Sequence, residues 1–287
     1  MNAILDRLRG LRAQSGALNL GAKPARDVLA PPSNVLGLRQ LYARHRALPA
    51  TPRSDDRELP GVEVAPGLRY LEAQCAWIPL PEAIYVGFAP KLGFTDAVHP
   101  HRIVAFDTET TGLAGGSGTR AFMIGAADWQ GRALRIRQLL ITTLAAEGAM
   151  LAEFANWLRA DSVLVSYNGR SYDAPLLATR YRLARQGNPL AGLAHLDLLH
   201  PTRRRYKGVY ENCRLATIER QLLGVVRDDD LPGSEAPAAW LNYLRGGSAA
   251  NLRRVATHNA TDLSSLAALL LRLSSQAPEV NACVAVS

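Results

Sequence analysis

The chain has 287 residues, 48% of them hydrophobic and 20% charged, a globular composition that excludes wholesale disorder. Lys and Arg total 33 against 25 Asp and Glu, and the formal charge of +8 points to an anionic partner, nucleic acid first. Only Lys23, Lys91 and Lys207 are lysines and none precedes Ser or Thr, which removes a Walker-type phosphate loop and a kinase-type strand lysine.

In chain order, residues 1–14 read as an amphipathic helix with Ile4, Leu5, Leu8 and Leu11 on one side. Residues 20–66 are rich in Pro, Arg and Asp and read as linker, with a short helix over 36–45. LRYLEAQCAWIPL and AIYVGF, within residues 67–90, read as strands. We expect residues 1–100 to form an N-terminal extension, 101–275 the main domain and 276–287 a tail. Strands follow at 103–107 (IVAFD), 121–129 (AFMIGAADW) and 133–141 (ALRIRQLLI), the last two joined by a turn at Gln130 and Gly131. Next come a helix built on Met150, Leu151, Phe154, Trp157 and Leu158, a strand at 163–167, a helix over 175–185 and a strand at 195–199. Helices over 214–223, 236–245 and 249–273 complete the chain. The order β-β-β-α-β-α-β-α-α-α implies an α/β fold. Its mixed five-stranded sheet has three antiparallel strands plus parallel neighbours, flanked by helices.

Cys75, Cys213 and Cys283 are too few and too scattered for a disulfide framework or a cysteine zinc site, and two are expected as core fillers. No apolar run approaches the roughly 18 residues of a membrane span. The expectation is a cytoplasmic protein with no membrane partner.

Asp107 and Glu109 end the first strand of the main domain. Side chains alternate along a strand, so the two acids share the face that Ile103 and Ala105 turn to the core. Asp173 lies two residues before Pro175 and is either a helix cap or a site residue. Asp262 falls inside the apolar stripe Leu252, Val255, Leu263, Leu266, Leu270 and Leu273 of the last helix. It needs there either an arginine or a metal. His258 lies one turn earlier on the same side. Converging, these acids offer hard oxygen ligands only, which selects Mg²⁺ or Mn²⁺. Two such ions roughly 3.5–4 Å apart clamp the attacking and leaving oxygens of a phosphodiester.

At these residues the chain resembles a known family. FDTETTGL (106–113), SYNGRSYD (166–173) and HNATD (258–262) are similar to the three motifs of the DEDD, or DnaQ-like, 3′-5′ exonuclease superfamily of ribonuclease H-like fold. The YprB-type branch is the nearer likeness, through DTETTGLAGGSGTRAFMIG, SYNGRSYDAPLL, LLGVVRDDDLPG and HNATD, over residues 102–273. The resemblance implies that Asp107, Glu109, Asp173 and Asp262 bind two Mg²⁺ or Mn²⁺ ions. It also implies that Thr111, Gly112, Leu113 and Asn168 lie near the terminal nucleotide of a single-stranded 3′ end. His258 stands four residues before the last Asp, where the family's subgroups carry a tyrosine, or a histidine one place earlier. It is expected to orient or deprotonate the attacking water.

AGGSGTRA is followed by a strand rather than a helix, so it is not a dinucleotide loop. An aspartyl-phosphate mechanism wants a second Asp where Glu109 stands. Arg203, Arg204 and Arg205 with Tyr206 form either a phosphate-binding patch or a solvated loop. Asp197 is expected to be structural or to act behind the site, and Asp228, Asp229 and Asp230 to form a turn. The expected activity is hydrolysis of terminal phosphodiesters, DNA or RNA. The alternatives are a binding module of the same fold without turnover, and an endonuclease of ribonuclease H type.

Overall fold

The computed structural model describes residues 54–76, 80–88, 97–112, 118–227 and 230–275. The helices expected over 1–14 and 36–45, together with Leu113, Asp228, Asp229 and Cys283, lie outside them.

Nine strands are described: β1 (Val62–Ala65), β2 (Leu68–Ala76), β3 (Ile84–Tyr85), β4 (Ala97–Val98), β5 (Ile103–Thr110), β6 (Ala121–Gln130), β7 (Ala133–Ile141), β8 (Val163–Ser166) and β9 (Ala194–Asp197). The helices are α1 (Glu147–Asn156), α2 (Asp173–Leu183), α3 (Leu199–Tyr206), α4 (Leu215–Ile218), α5 (Ala236–Leu244) and α6 (Ala250–Ser275). A π turn, Glu219–Leu223, continues α4 and stops at Gly224 in the left-handed region.

The expected α/β architecture is present. The five strands from Ile103 onward stand in the order β7-β6-β5-β8-β9, with β5, β6 and β7 antiparallel and β8 and β9 parallel to β5. The sheet is wider than expected, because β2 pairs with β7 along its whole length and β1 covers β2, making seven strands. Val62–Ala65 falls in what reads as linker, since a strand of four residues between Pro60 and Gly67 carries little periodicity. The extended run 80–88 yields only the two-residue β3.

Alternation along β5 divides its side chains between the two faces of the sheet. Val104 and Phe106 join the core formed with Phe122, Phe154 and Tyr181 of β6, α1 and α2. Ile103 and Ala105 join a second core with Leu263, Leu266 and Leu270 of α6. Both faces are therefore covered, and β5 is buried from Ile103 to Phe106. The apolar stripe of α6 lies across β5, β6 and β7, which brings its polar residues over the C-terminal end of β5. Cys75, near the end of β2, is exposed and Cys213, in the loop before α4, is half-buried, so neither fills the core as expected.

Candidate active site

Asp107 and Glu109 continue the row of Ile103 and Ala105, so both carboxylates turn toward α6. The Asn259 amide of α6 donates to Asp107 Oδ2 at 2.8 Å. Asp173 enters as the first residue of α2, and Tyr172 ahead of it makes no side-chain cap. Its carboxylate accepts from the Thr108 hydroxyl, tying α2 to β5. Of the two roles open to Asp173, the structure uses its side chain on the β5 side.

Burial raises the proton affinity of all four acids. Asp107 is raised well above the ordinary carboxylate range, by burial first and then by the charges of Asp262, Asp173 and Glu109. Glu109 is pushed up to about 7 by burial, against the opposing influence of His258 and with further upward pressure from Asp262 and Asp173. Asp173 is raised by burial despite its Thr108 bonds, and Asp262 by burial despite His258 and Arg227. Buried like charges disfavour one another's ionised forms, and either protonation or an added cation relieves that.

One cation is already present. Arg227 bonds Asp262, and the arginine partner expected as the alternative for that acid is real. Arg227 is itself anchored on Glu219, whose side chain is 1% exposed, through bonds of 2.5 and 2.8 Å. Its Nη1 stands 3.2 Å from Asp230 Oδ2 and 3.0 Å from His258 Nδ1. Burial works against the guanidinium charge, but the Glu219 and Asp262 bonds prevail and hold the proton more firmly than usual.

His258 Nδ1 lies 2.8 and 2.9 Å from the two Asp230 oxygens. We assign the Nδ1 proton to that bond, because a carboxylate is the stronger acceptor and Arg227 is a donor only. The His258 and Arg227 contacts outweigh burial and hold the Asp230 carboxyl below its ordinary range. The opposite nitrogen, Nε2, faces Asp262 Oδ2 at 3.7 Å. Asp230 is thus more than the turn residue expected from the run of three acids; its carboxylate reaches back to α6.

A pocket of about 250 Å³ opens at the end of β5, lined by Asp107, Gly112, Asn168, Tyr172 and Asp173 among others. Asn168 has φ 67°, a left-handed conformation that Asn tolerates. Asp197 holds the loop by accepting from the backbone N–H groups of Asn168 (2.7 Å) and Arg170 (3.1 Å). Gly169 follows because a Cβ there would stand 2.5 Å from Ser166 Oγ and 3.1 Å from Asp173 Oδ2. Thr111 closes the neighbouring turn, its hydroxyl accepting from the Arg120 N–H at 3.0 Å.

Arg203, Arg204 and Arg205 occupy the last turn of α3 rather than a loop, where basic side chains complement the helix dipole. They do not line the Asp107 pocket; Arg204 and Arg205 border a separate hollow with Phe88, Pro201 and Leu273.

Thr108, Gln138, Glu219, Arg227, Asp230 and Asn259 escape sequence reasoning as site residues. Thr108 and Asn259 stand inside FDTETTGL and HNATD, and Arg227 and Asp230, which carry the contacts to α6, inside LLGVVRDDDLPG; Gln138 and Glu219 stand in none of these segments.

The donor set of Asp107, Glu109, Asp173 and Asp262 is all hard oxygen and carries excess buried negative charge, which fits Mg²⁺ or Mn²⁺. Among the described residues, no three His, Cys, Asp or Glu side chains are closed into a group able to hold an ion as they stand. Arg227 and the Thr108 hydroxyl each engage one of the acids.

A mixed sheet of this order, with acids at the end of its central strand and on the last helix, defines a protein of ribonuclease H type. The RNase_H superfamily model matches residues 104–274, more than half of the chain, and the chain belongs to that superfamily. It is 36% identical over 170 residues to the uncharacterized protein YprB of Bacillus subtilis (strain 168), covering 59% of this chain and 41% of that protein. The chain therefore spans less than half of that relative's length. Solved structures with some likeness include the family B DNA polymerase of the archaeon Pyrobaculum calidifontis (16% identity, 62% of this chain, 26% of that chain, TM-score 0.49). Another is E. coli exonuclease I in complex with a dT13 oligonucleotide (14% identity, 52% of this chain, 42% of that chain, TM-score 0.37). No helix among the described residues is long and apolar enough to cross a membrane.

Proposed function

We propose that the chain is a metal-dependent nuclease that removes nucleotides from the 3′ end of a nucleic acid strand. The observation that carries the reading is the gathering of Asp107, Glu109, Asp173 and Asp262, Glu109 buried and the others half-buried, each with raised proton affinity. Structural acids in a core are paired one to one with donors. Here the bonded partners are an amide, a hydroxyl and one guanidinium, so negative charge exceeds positive, an arrangement suited to divalent cations.

Asp107, Glu109, Asp173 and Asp262 would hold two ions, Mg²⁺ or Mn²⁺. Such ions supply Lewis-acid polarisation of the phosphate and neutralise the charge that develops on the oxygens being exchanged. The protein's own groups divide the remaining work. His258, with Nδ1 donating to Asp230, presents Nε2 as a proton acceptor for the attacking water. Asp230 fixes the tautomer, and Arg227 fixes Asp230 and Asp262 together. The pocket beside Asp107 would take the terminal nucleotide, with Asn168 and Gly112 in its wall and Tyr172, 60% exposed, at its mouth. Thr111 and Leu113 would border the same end. The arginines of α3 would hold phosphates of the strand further from the reacting bond. Residues 101–275 would carry the activity, with β1 and β2 widening the sheet behind it.

A labelled single-stranded oligonucleotide, as DNA and as RNA, with free and blocked 3′ ends and Mn²⁺, tests this. A ladder shortening from the free 3′ end only is expected. Cutting of blocked strands would favour the endonuclease reading, and binding without products the non-catalytic one.

A further inference from the structure

Asp107 is half-buried, and it hydrogen-bonds a side chain that has no part in the chemistry above. Asn259 is fully buried on α6 between His258 and Asp262 in sequence, and its amide donates to Asp107 Oδ2 at 2.8 Å. An amide can be turned over, so something must decide which end faces the acid. Gln138 does. Its Nε2 donates to Asn259 Oδ1 at 2.9 Å and to the Ala256 carbonyl at 2.7 Å. With Oδ1 occupied by a donor, only the Asn259 NH₂ is left to face Asp107.

The sheet is shaped for this chain of bonds. Asp107 on β5 pairs with Gly125 on β6, and Gly125 pairs with Gln138 on β7, so the three form one row across the strands. Asn259 bridges the ends of that row by lying over its middle member. A Cβ on Gly125 would overlap Asn259 Oδ1 and stand 2.7 Å from Leu263 Cδ1. The glycine leaves the room that the asparagine fills.

We propose that Asn259 is a positioning residue for Asp107. Oriented by Gln138 and admitted by Gly125, it grips Oδ2 and so aims the Asp107 carboxylate into the ion site. The inference rests on the reading of Asp107 as a metal ligand. Outer partners that orient a ligand typically cost 10–100-fold in metal affinity when removed.

The test is Mn²⁺ titration by calorimetry on the full chain, with melting temperature recorded for each variant. Asn259→Ala should weaken Mn²⁺ binding by about 10–100-fold. Asn259→Asp keeps the shape, guards against a variant that fails to fold, and should weaken binding at least as much, because a carboxylate would face a carboxylate. Gln138→Ala should have a smaller effect, and Asn259→Ala with Gln138→Ala should be no worse than Asn259→Ala alone. A folded Asn259→Asp or Asn259→Ala protein that melts lower but binds Mn²⁺ as tightly as the wild type would reduce Asn259 to a packing residue and overturn the inference. If wild type binds no Mn²⁺ and Asp107→Asn behaves identically, the ion-binding reading fails, and the inference with it. Wild-type binding lost in Asp107→Asn but kept in both Asn259 variants sinks the inference alone.

Discussion

Replacing Arg227 by Met removes the one guanidinium that Glu219, Asp230 and Asp262 share, while keeping an unbranched apolar stem of similar length. Glu219 is 1% exposed and Arg227 13%, so the pair lies in the regime of buried rather than surface ion pairs. Removing one partner of such a pair leaves the other charge desolvated and uncompensated, at about 3–5 kcal/mol. A surface pair would cost about 0–1 kcal/mol. The two ranges do not overlap, so urea unfolding monitored by tryptophan fluorescence decides between them. A second variant separates charge from shape. Glu219→Leu combined with Arg227→Met should recover part of the lost stability, since it removes the most buried of the stranded charges while Asp230 and Asp262 remain. It should not recover hydrolysis, because Asp262 and Asp230 would still lack their cation. A loss below about 1 kcal/mol in Arg227→Met would refute the reasoning. So would a double variant less stable than the single one.

Three other outcomes follow from the same geometry. Glu109 ionises near pH 7 in the folded protein against an ordinary 4.5, so the native state binds that proton more tightly than the unfolded chain. Its contribution to stability is complete below about pH 4.5 and lost as pH rises through about 7. Mn²⁺ must displace the proton, so the rise in melting temperature on adding Mn²⁺ should be larger at pH 8 than at pH 6; a larger rise at pH 6 would contradict the assignment. His258→Ala should slow hydrolysis by about 10²–10⁴-fold with Mn²⁺ affinity kept, measured under single turnover, and undiminished hydrolysis would remove its role. Neutralising Arg203, Arg204 and Arg205 together should lower the slope of log binding against log salt by about 0.7 for each phosphate of a single strand that the arginines neutralise; an unchanged slope would dismiss the patch.

The path from sequence to structure differed between the acids and their partners. Asp107 and Glu109 were legible because strand alternation put them on the face of Ile103 and Ala105, and that face does meet α6. Asp262 stood out as a charge in a leucine stripe, and of the two explanations offered for it, an arginine or a metal, the arginine is present as Arg227. Asn259 was not legible. It stands within HNATD, yet an asparagine on a half-polar helix shows no role until Gly125 and Gln138, more than a hundred residues away, are seen beneath it. Arg227 and Asp230 were obscured for a similar reason: a run of acids after Gly224 reads as turn chemistry, and only the fold brings it back onto α6. β2 was legible as a strand, but its place in the sheet beside β7, and the short β1 that covers it, were hidden because local periodicity does not report which strands pair.

The central claim is that ion-dependent hydrolysis is performed by the Asp107 carboxylate and its neighbours. It is tested most directly by measuring mononucleotide release from a 3′-labelled single strand with Mn²⁺, comparing the wild type with Asp107→Asn purified in parallel. The account predicts release by the wild type, abolished by chelation, and near-complete loss in Asp107→Asn with the melting temperature maintained or raised, since a buried charge has been removed. Equal release from both proteins would contradict it.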